Sequence, residues 1–364
     1  MSIYRKTKKL FKNPKLFFKD AIEKRFFALD SAYKRYLPKK YKAYSKYTII
    51  SAVYNVEKYL DDYFNSIINQ RLDFKNNIFM ILVDDGSTDN CAKIIKKYQK
   101  KYPKNIVYLY KENGGQASAR NLGLKYMQEN NYQTPWVTFA DPDDFLDRNY
   151  FYEVDKFLST HQDDDICMVG CNIKIYQDET GMLQDHFTNF QFISNSYEKI
   201  SSMQWGITTS TRSFFHYNII LTNNHLFEEG FSSFEDAQFV LIYLASNDTK
   251  NIAFLRDAVY IARKRKGSTT NLQVKTTHYY IDSLIRTINV FYKISKLNII
   301  PLYVQNSILA HLVFNIKNLI NFPEKLSFMN ENEKQEYLKL LDENFSYIDT
   351  ETILSFNLAG LYFD

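Results

Sequence analysis

At 364 residues the chain exceeds the usual size of one domain, and 45% hydrophobic residues with 29 Tyr and 29 Phe support a sizeable folded core. Its three cysteines, Cys91, Cys167 and Cys171, lack paired zinc-ligand spacing, and its six histidines do not cluster, which argues against a disulfide scaffold and a His/Cys metal centre. No run approaches the roughly 18 apolar residues of a membrane span, and no apolar signal-peptide core is visible, so a cytoplasmic location is expected.

The net charge of +5 is unevenly spread. Residues 1–46 carry 15 Lys and Arg against 3 acids, which leaves the remainder acidic. Residues 1–45 interleave these charges with Phe11, Leu16, Phe17, Phe18, Ile22, Phe26 and Phe27, the pattern of a basic amphipathic helix or helix pair broken near Pro14. Such a segment can lie on anionic lipid, at the inner face of the cytoplasmic membrane, or dock on an assembly complex. Plain helical packing is the alternative. No DNA- or RNA-binding motif accompanies the charge, so nucleic acid is not an expected partner.

The β-branched run YTIISAV, Tyr47 to Val53, reads as a strand, and Tyr59, Leu60, Phe64 and Ile67 follow at helical spacing. A second apolar run, Ile78 to Val83, ends at Asp84 and Asp85 before a helix that begins near Asp89. Ser87 or Asp89 could cap that helix equally well. Another apolar run covers Ile106 to Tyr110. In the loop ENGGQASARN, Gly114 and Gly115 permit left-handed backbone or close ligand approach, and Arg120 could pair with phosphate or stack near a base. Alternating strands and helices with polar strand ends predict an open, mostly parallel α/β sheet with ligands beyond the carboxyl ends.

The run VTFADPDDFL delivers Asp141, Asp143 and Asp144 to the end of an apolar strand. Carboxylates packed so closely repel unless a cation joins them, and Asp-x-Asp suits a hard divalent metal that also takes diphosphate oxygens. A solvated acidic turn is the bland alternative. The stretch from Cys171 to Thr211, with His186 and Trp205, falls between this motif and a later acidic pair, Glu235 and Asp236. That pair either does chemistry or simply opens a helix. Next comes VYIARKRKGSTTN, whose Arg263, Arg265 and Ser268 suit a loop closing over a diphosphate, or else a solvated basic surface. After Asn271 long helical patterns span Tyr279 to Tyr292, Leu302 to Phe314 and Glu333 to Leu341. They could pack on the preceding domain, form a homodimer, or receive an acceptor. The ending LAGLYFD leaves open whether a longer protein continues.

The segments TIISAVYNVEKYL, VDDGSTDN, ENGGQASARNLGL, FADPDDFL and FEDAQF, in that order, resemble bacterial glycosyltransferases of family 2, whose fold is GT-A. The likeness covers roughly residues 47–271, whereas composition and periodicity indicate only an α/β domain with clustered acids. The resemblance implies a GT-A catalytic domain over residues 46–271, followed by a helical region over 272–364. It places Ala52, Val53 and Tyr54 at the nucleobase, with Asp84, or else Asp85, accepting the base N–H. It implies Asp143 as ligand of Mn2+ or Mg2+, Asp141 on metal or ribose, and Gly115 and Arg120 in the donor-binding loop. Arg263 or Arg265, with Ser268 a lesser candidate, would contact the diphosphate. Asp236, beside Glu235, would be the general base in direct, inverting transfer from a UDP-sugar to a hydroxyl. The Lys-rich start is similar to those of capsule and surface-polysaccharide transferases, so the acceptor implied is a polysaccharide or lipid-linked glycan. A sugar nucleotidyltransferase is the competing enzyme, although the first strand lacks its Gly-rich basic loop. A non-catalytic membrane scaffold is the competing non-enzyme.

Overall fold

The computed structural model describes residues 41–132, 134–186, 194–230, 233–265, 276–296, 299–320, 327–358 and 361–362. Nearly all of the basic amino-terminal segment, and Ser268, lie outside them.

Twelve strands and eleven α-helices follow one another among the described residues, with one short 3-10 turn at Ile200–Ser202. The first half alternates: β1 (Tyr47–Val53), α1 (Glu57–Ile68), α2 (Phe74–Asn77), β2 (Ile78–Asp85), α3 (Cys91–Lys101), β3 (Ile106–Lys111), α4 (Gln116–Glu129) and β4 (Trp136–Phe139). Then come β5 (Phe145–Leu146), α5 (Tyr150–Thr160), β6 (Ile166–Gln177), β7 (Met182–Asp185), β8 (Ser196–Lys199), β9 (Ser213–His216), α6 (Tyr217–Thr222), α7 (Glu235–Ala245) and β10 (Asn251–Lys264). The chain continues through α8 (Thr277–Ser295), α9 (Leu302–Ile320), α10 (Glu331–Ser346), α11 (Thr350–Leu354) and the two-residue strands β11 (Asn357–Leu358) and β12 (Leu361–Tyr362).

The main sheet runs β3-β2-β1-β4-β9-β6-β10-β5, with β7 on β6 and β8 on β10. Strands β3, β2, β1 and β4 are mutually parallel, and β9 is the antiparallel insertion before the parallel pair β6 and β10. This is the expected α/β architecture. Because β1, β2 and β4 run the same way, the residues that end them meet at one edge. Val53 stands beside Asp84 in register, and Asp141 follows two residues beyond the end of β4.

The helices are held by the faces that their sequences dictate. Leu60, Tyr63, Phe64 and Ile67 of α1 recur at helical spacing and are buried against the sheet, each worth roughly 1.5–3 kcal/mol of apolar burial. On α4, Gly123 lets the helix come close to β1: a Cβ there would stand 2.5 Å from Cγ2 of Ile50. That approach fixes the depth of Arg120, one turn earlier on the same helix.

The carboxyl-terminal helices pack onto the preceding α/β unit. One apolar core contains Ile50 and Phe139 beside the sheet, Phe239 of α7, Leu284 of α8, Tyr303 of α9 and Tyr337 of α10. At the opposite end, fully buried Asp155 accepts hydrogen bonds from Tyr41 Oη (2.7 Å), Tyr44 N (2.8 Å), Ser45 N (2.9 Å) and Tyr47 Oη (2.7 Å), which anchors the chain entering β1. Cys91, Cys167 and Cys171 are unpaired and buried, in keeping with their reading as small core residues.

Candidate active site

The loop after β1 and the loop after β2 interlock. Thr88 N donates to Asn55 Oδ1 at 2.8 Å, Glu57 N to Asp89 Oδ2 at 3.0 Å, and Asn90 N to Glu57 Oε2 at 2.9 Å. Asp89 also accepts from Cys91 N at 2.9 Å and so satisfies the start of α3. Asp84 and Asp85 are therefore not needed as caps. Buried Asp84 accepts from Ser87 N (2.8 Å) and Tyr108 Oη (3.0 Å). Asp85 instead organises the glycine loop: Gly114 N and Gly115 N donate to its two oxygens at 3.0 and 2.8 Å, and Lys111 Nζ lies 2.7 Å away. Gly115 takes φ 87°, a left-handed conformation that favours glycine. Of the three residues ending β1, Val53 points into the core, Ala52 is partly buried and Tyr54 remains half exposed.

The Asp-x-Asp segment is fastened from β10. Tyr260 Oη donates to Asp144 Oδ2 at 2.7 Å and accepts from Asp141 N at 3.1 Å, while Arg263 N donates to Asp144 Oδ1 at 2.7 Å. Burial, then Asp141 and Asp143, push the Asp144 carboxyl well above the usual range. Asp144 thus acts as a structural knot that orients its neighbours. The Asp141 carboxyl is pushed up to about 6 by withdrawal from water and by Asp143 and Asp236, against the pull of Arg120. Part of its side chain still reaches solvent, which moderates that shift. Asp143 Oδ2 lies 2.8 Å from Arg265 Nε.

Arg263 and Arg265 part company here. Arg263 Nε donates to the Asp143 carbonyl (2.8 Å), Nη1 to Asp178 (3.0 Å) and Nη2 to Asp62 (2.9 Å), and the guanidinium lies 5.1–5.4 Å from the ring centres of Tyr59, Phe145 and Tyr176. All three nitrogens are engaged in holding the site together. Arg265, at the end of β10, is the basic residue that faces the Asp-x-Asp carboxylate. Ser268, proposed beside them, is outside the described residues.

Arg120 is buried at the centre. Its Nη1 lies 2.5 Å from Asp236 Oδ1 and 3.8 Å from Glu235 Oε1, and Nη2 lies 3.1 Å from Asp141 Oδ1. Burial alone would lower its pKa, but Asp236, Asp141 and Glu235 together raise it. Ser210 Oγ donates to Asp236 Oδ1 at 2.7 Å, and Gln116 Nε2 donates to Glu235. Glu235 is buried, and burial followed by the neighbouring Asp236 raises its carboxyl to about 7. Glu235 and Asp236 open α7, and they also face Asp141 across the Arg120 guanidinium.

The fold therefore links Asp84, Asp85, Gly115, Arg120, Asp141, Asp143, Asp236 and Arg265 through neighbouring contacts on the carboxyl-end side of β1, β2 and β4. Tyr260, Ser210, Gln116 and Lys111 are site residues that the sequence does not announce, because a single polar side chain in an apolar or loop segment carries no periodic signal. Trp205 lies 5.9 Å, ring to ring, from Phe356, and burial lowers His186 to about 4.

Among the described residues no group of three or more His, Cys, Asp or Glu side chains is close enough to hold a metal by itself. Asp141 and Asp143, ion-paired with Arg120 and Arg265, offer hard oxygen donors. They fit a divalent ion that takes one or two carboxylates and completes its shell with substrate phosphates and water.

The family model described as Glycosyl transferase family 2 matches residues 48–222. The minor teichoic acid biosynthesis protein GgaB of Bacillus subtilis (strain 168) is 33% identical over 314 residues, covering 85% of this chain and 33% of that protein. The poly(ribitol-phosphate) beta-N-acetylglucosaminyltransferase TarS of Staphylococcus aureus (strain MW2) is 29% identical over 229 residues, 61% of this chain and 36% of that one. The chain spans less than half the length of these curated relatives. Among solved structures, S. aureus TarS 1-349 in complex with UDP-GlcNAc superposes with a TM-score of 0.64 at 19% identity, covering 85% of this chain and 83% of that one. That likeness shows the GT-A fold.

Proposed function

We propose that this chain, whose residues 48–222 are a glycosyl transferase family 2 domain, transfers a sugar from a UDP-sugar to a hydroxyl of a cell-surface polymer. The observation that carries the reading is the meeting of the Asp141–Asp143 motif with Asp236 across Arg120. A metal motif and a candidate base are thereby held a guanidinium apart at the carboxyl ends of parallel strands, where such sheets bind ligands.

Asp84, beside Val53 at the end of β2, accepts the nucleobase N–H, and Tyr54 covers the base. Asp143 and Asp141 would hold Mn2+ or Mg2+, which when bound would supply neutralising charge for the departing diphosphate. Arg265, released from Asp143, adds its charge to the phosphates. Asp236, oriented by Arg120 and Ser210, takes the proton of the acceptor hydroxyl as that oxygen attacks the anomeric carbon from the face opposite the leaving group. The configuration inverts, and no covalent enzyme intermediate is formed.

The relatives' names support a choice of acceptor class. GgaB is named for teichoic acid biosynthesis and TarS for poly(ribitol-phosphate), so we favour a phosphate-containing wall polymer over the capsule-type acceptor. The basic segment over residues 1–45 would hold the enzyme near a lipid-linked acceptor at the inner membrane face. Among the described residues no helix is long and apolar enough to cross a membrane.

Calorimetric titration of UDP with and without Mn2+, beside CDP and GDP, tests the donor site. Selective, Mn2+-enhanced UDP binding that Asp143→Asn reduces to the metal-free level is expected. Equal binding of all three nucleotides, or none, would remove the donor assignment.

A further inference from the structure

We infer that the carboxyl-terminal helices α8 and α9 are the positioning support of the general base, with His311 as the residue that holds it in register. The inference rests on Asp236 being that base. The acidic pair begins a helix, but the residue before it, Phe234, has φ 65°. A bulky aromatic in the left-handed region is strained and persists only where its surroundings over-determine it. What surrounds it comes from far along the chain.

The ring of His311, on α9, lies 4.5 Å from the Phe234 ring centre at 50°. Asn315 Nδ2, one turn later on α9, is 3.0 Å from His311 Nε2 and fixes the imidazole. Burial keeps that imidazole neutral, with its pKa lowered to about 4. On the other flank, Ser233 Oγ donates to the Tyr279 carbonyl of α8 at 3.0 Å. Below the pair, Arg286 of α8 donates from Nη1 to Gln238 Oε1 at 2.7 Å and from Nη2 to the Glu228 carbonyl at 3.0 Å. Gln238 N in turn donates to the Phe234 carbonyl at 3.0 Å, so the first turn of α7 is tied at both ends.

Ser233, Phe234 and Gln238 bracket Glu235 and Asp236, and each is held by α8 or α9. The direction of the Asp236 carboxylate is therefore set by two opposing supports: Arg120 and Ser210 from the catalytic side, and the helical layer from behind. Among the described residues, these hydrogen bonds of α8 and α9 reach the acidic pair's flanks or stay within α9, and none reaches a residue that ends β1, β2 or β4. Loss of this layer should act on turnover and leave donor binding intact.

The test uses the full chain with His311→Ala and His311→Phe. Expected for His311→Ala is a fall in kcat of about tenfold or more, from a misplaced base, with donor KM and UDP affinity within about twofold of wild type. His311→Phe restores an aromatic ring against Phe234 and should recover most of the turnover, although the Asn315 contact is lost. Unchanged kcat in His311→Ala, or His311→Phe no better than alanine, overturns the inference. Hydrogen exchange of the segment 233–238 separates this failure from that of the parent reading. Faster exchange in His311→Ala is required whether or not wild type transfers sugar, and unchanged exchange overturns the support. Wild type inactive on every UDP-sugar, with faster exchange in the variant, overturns Asp236 as base while the support of the acidic pair stands.

Discussion

Arg120 Nη1 stands 2.5 Å from Asp236 Oδ1, and the other end of the same guanidinium reaches Asp141 at 3.1 Å. A planar fork can hold two carboxylates on separate elements at fixed angles, which a single ammonium cannot. Arg120→Lys keeps the charge and loses the bridge. Turnover should fall about 10²-fold, the scale of an ångström of misplacement at a reacting group, while UDP affinity changes far less. A matching loss in both quantities would instead place Arg120 on the donor, the role that the family resemblance implies.

Asp236→Asn keeps the shape of the side chain and removes its ability to take a proton. A positioned base contributes roughly 10²–10⁴ in rate, so kcat should drop by that factor while calorimetry shows wild-type UDP binding. Turnover near the wild-type rate would return the acidic pair to its simpler role at the start of α7.

The parallel core was readable because it is local and periodic. YTIISAV and IFMILVDD are β-branched or apolar runs that stop at polar residues, and register then forces their ends together. The acids were legible as clusters for the same reason. What escaped was every relationship made across the chain. Arg120 and Asp236 are 116 positions apart, and no spacing rule links a helix on one side of β4 to a helix past β9. The difference between Arg263 and Arg265 was equally hidden. Both sit in one basic run and both lie over Tyr59, yet Arg263 is spent on Asp62 and Asp178 while Arg265 stands against the Asp143 carboxylate. Asp155, an ordinary acid in a helical pattern, gave no sign of its four donors.

Gly123 tests how closely α4 must lie on β1. A methyl group there would meet Ile50 Cγ2 at 2.5 Å, an overpacking that typically costs about 1–3 kcal/mol. The better helix propensity of alanine offsets up to about 1 kcal/mol of it. Gly123→Ala should lower the unfolding midpoint in urea, and the Gly123→Ala/Ile50→Ala pair should be more stable than the sum of its single changes, since the second removes the clash. Strict additivity would mean that α4 relaxes away from the strand without strain.

Glu235 sets a pH dependence whose sign can be worked out. Its folded pKa of about 7 lies above its ordinary 4.5, because burial and Asp236 disfavour the charged form. Between those values the folded protein keeps a proton that the unfolded chain has released, so stability declines as pH rises through this window. Asp141, raised from 3.8 to about 6, contributes in the same direction over the lower part of the range. Glu235→Gln cannot ionise and keeps an amide oxygen able to accept from Gln116. Its thermal midpoint should therefore fall less than that of wild type between pH 5 and pH 7.5, with the residual slope belonging to Asp141 and Asp144. Parallel slopes in the two proteins would show that Glu235 is already ionised at pH 5 and that Arg120, not burial, dominates its charge state.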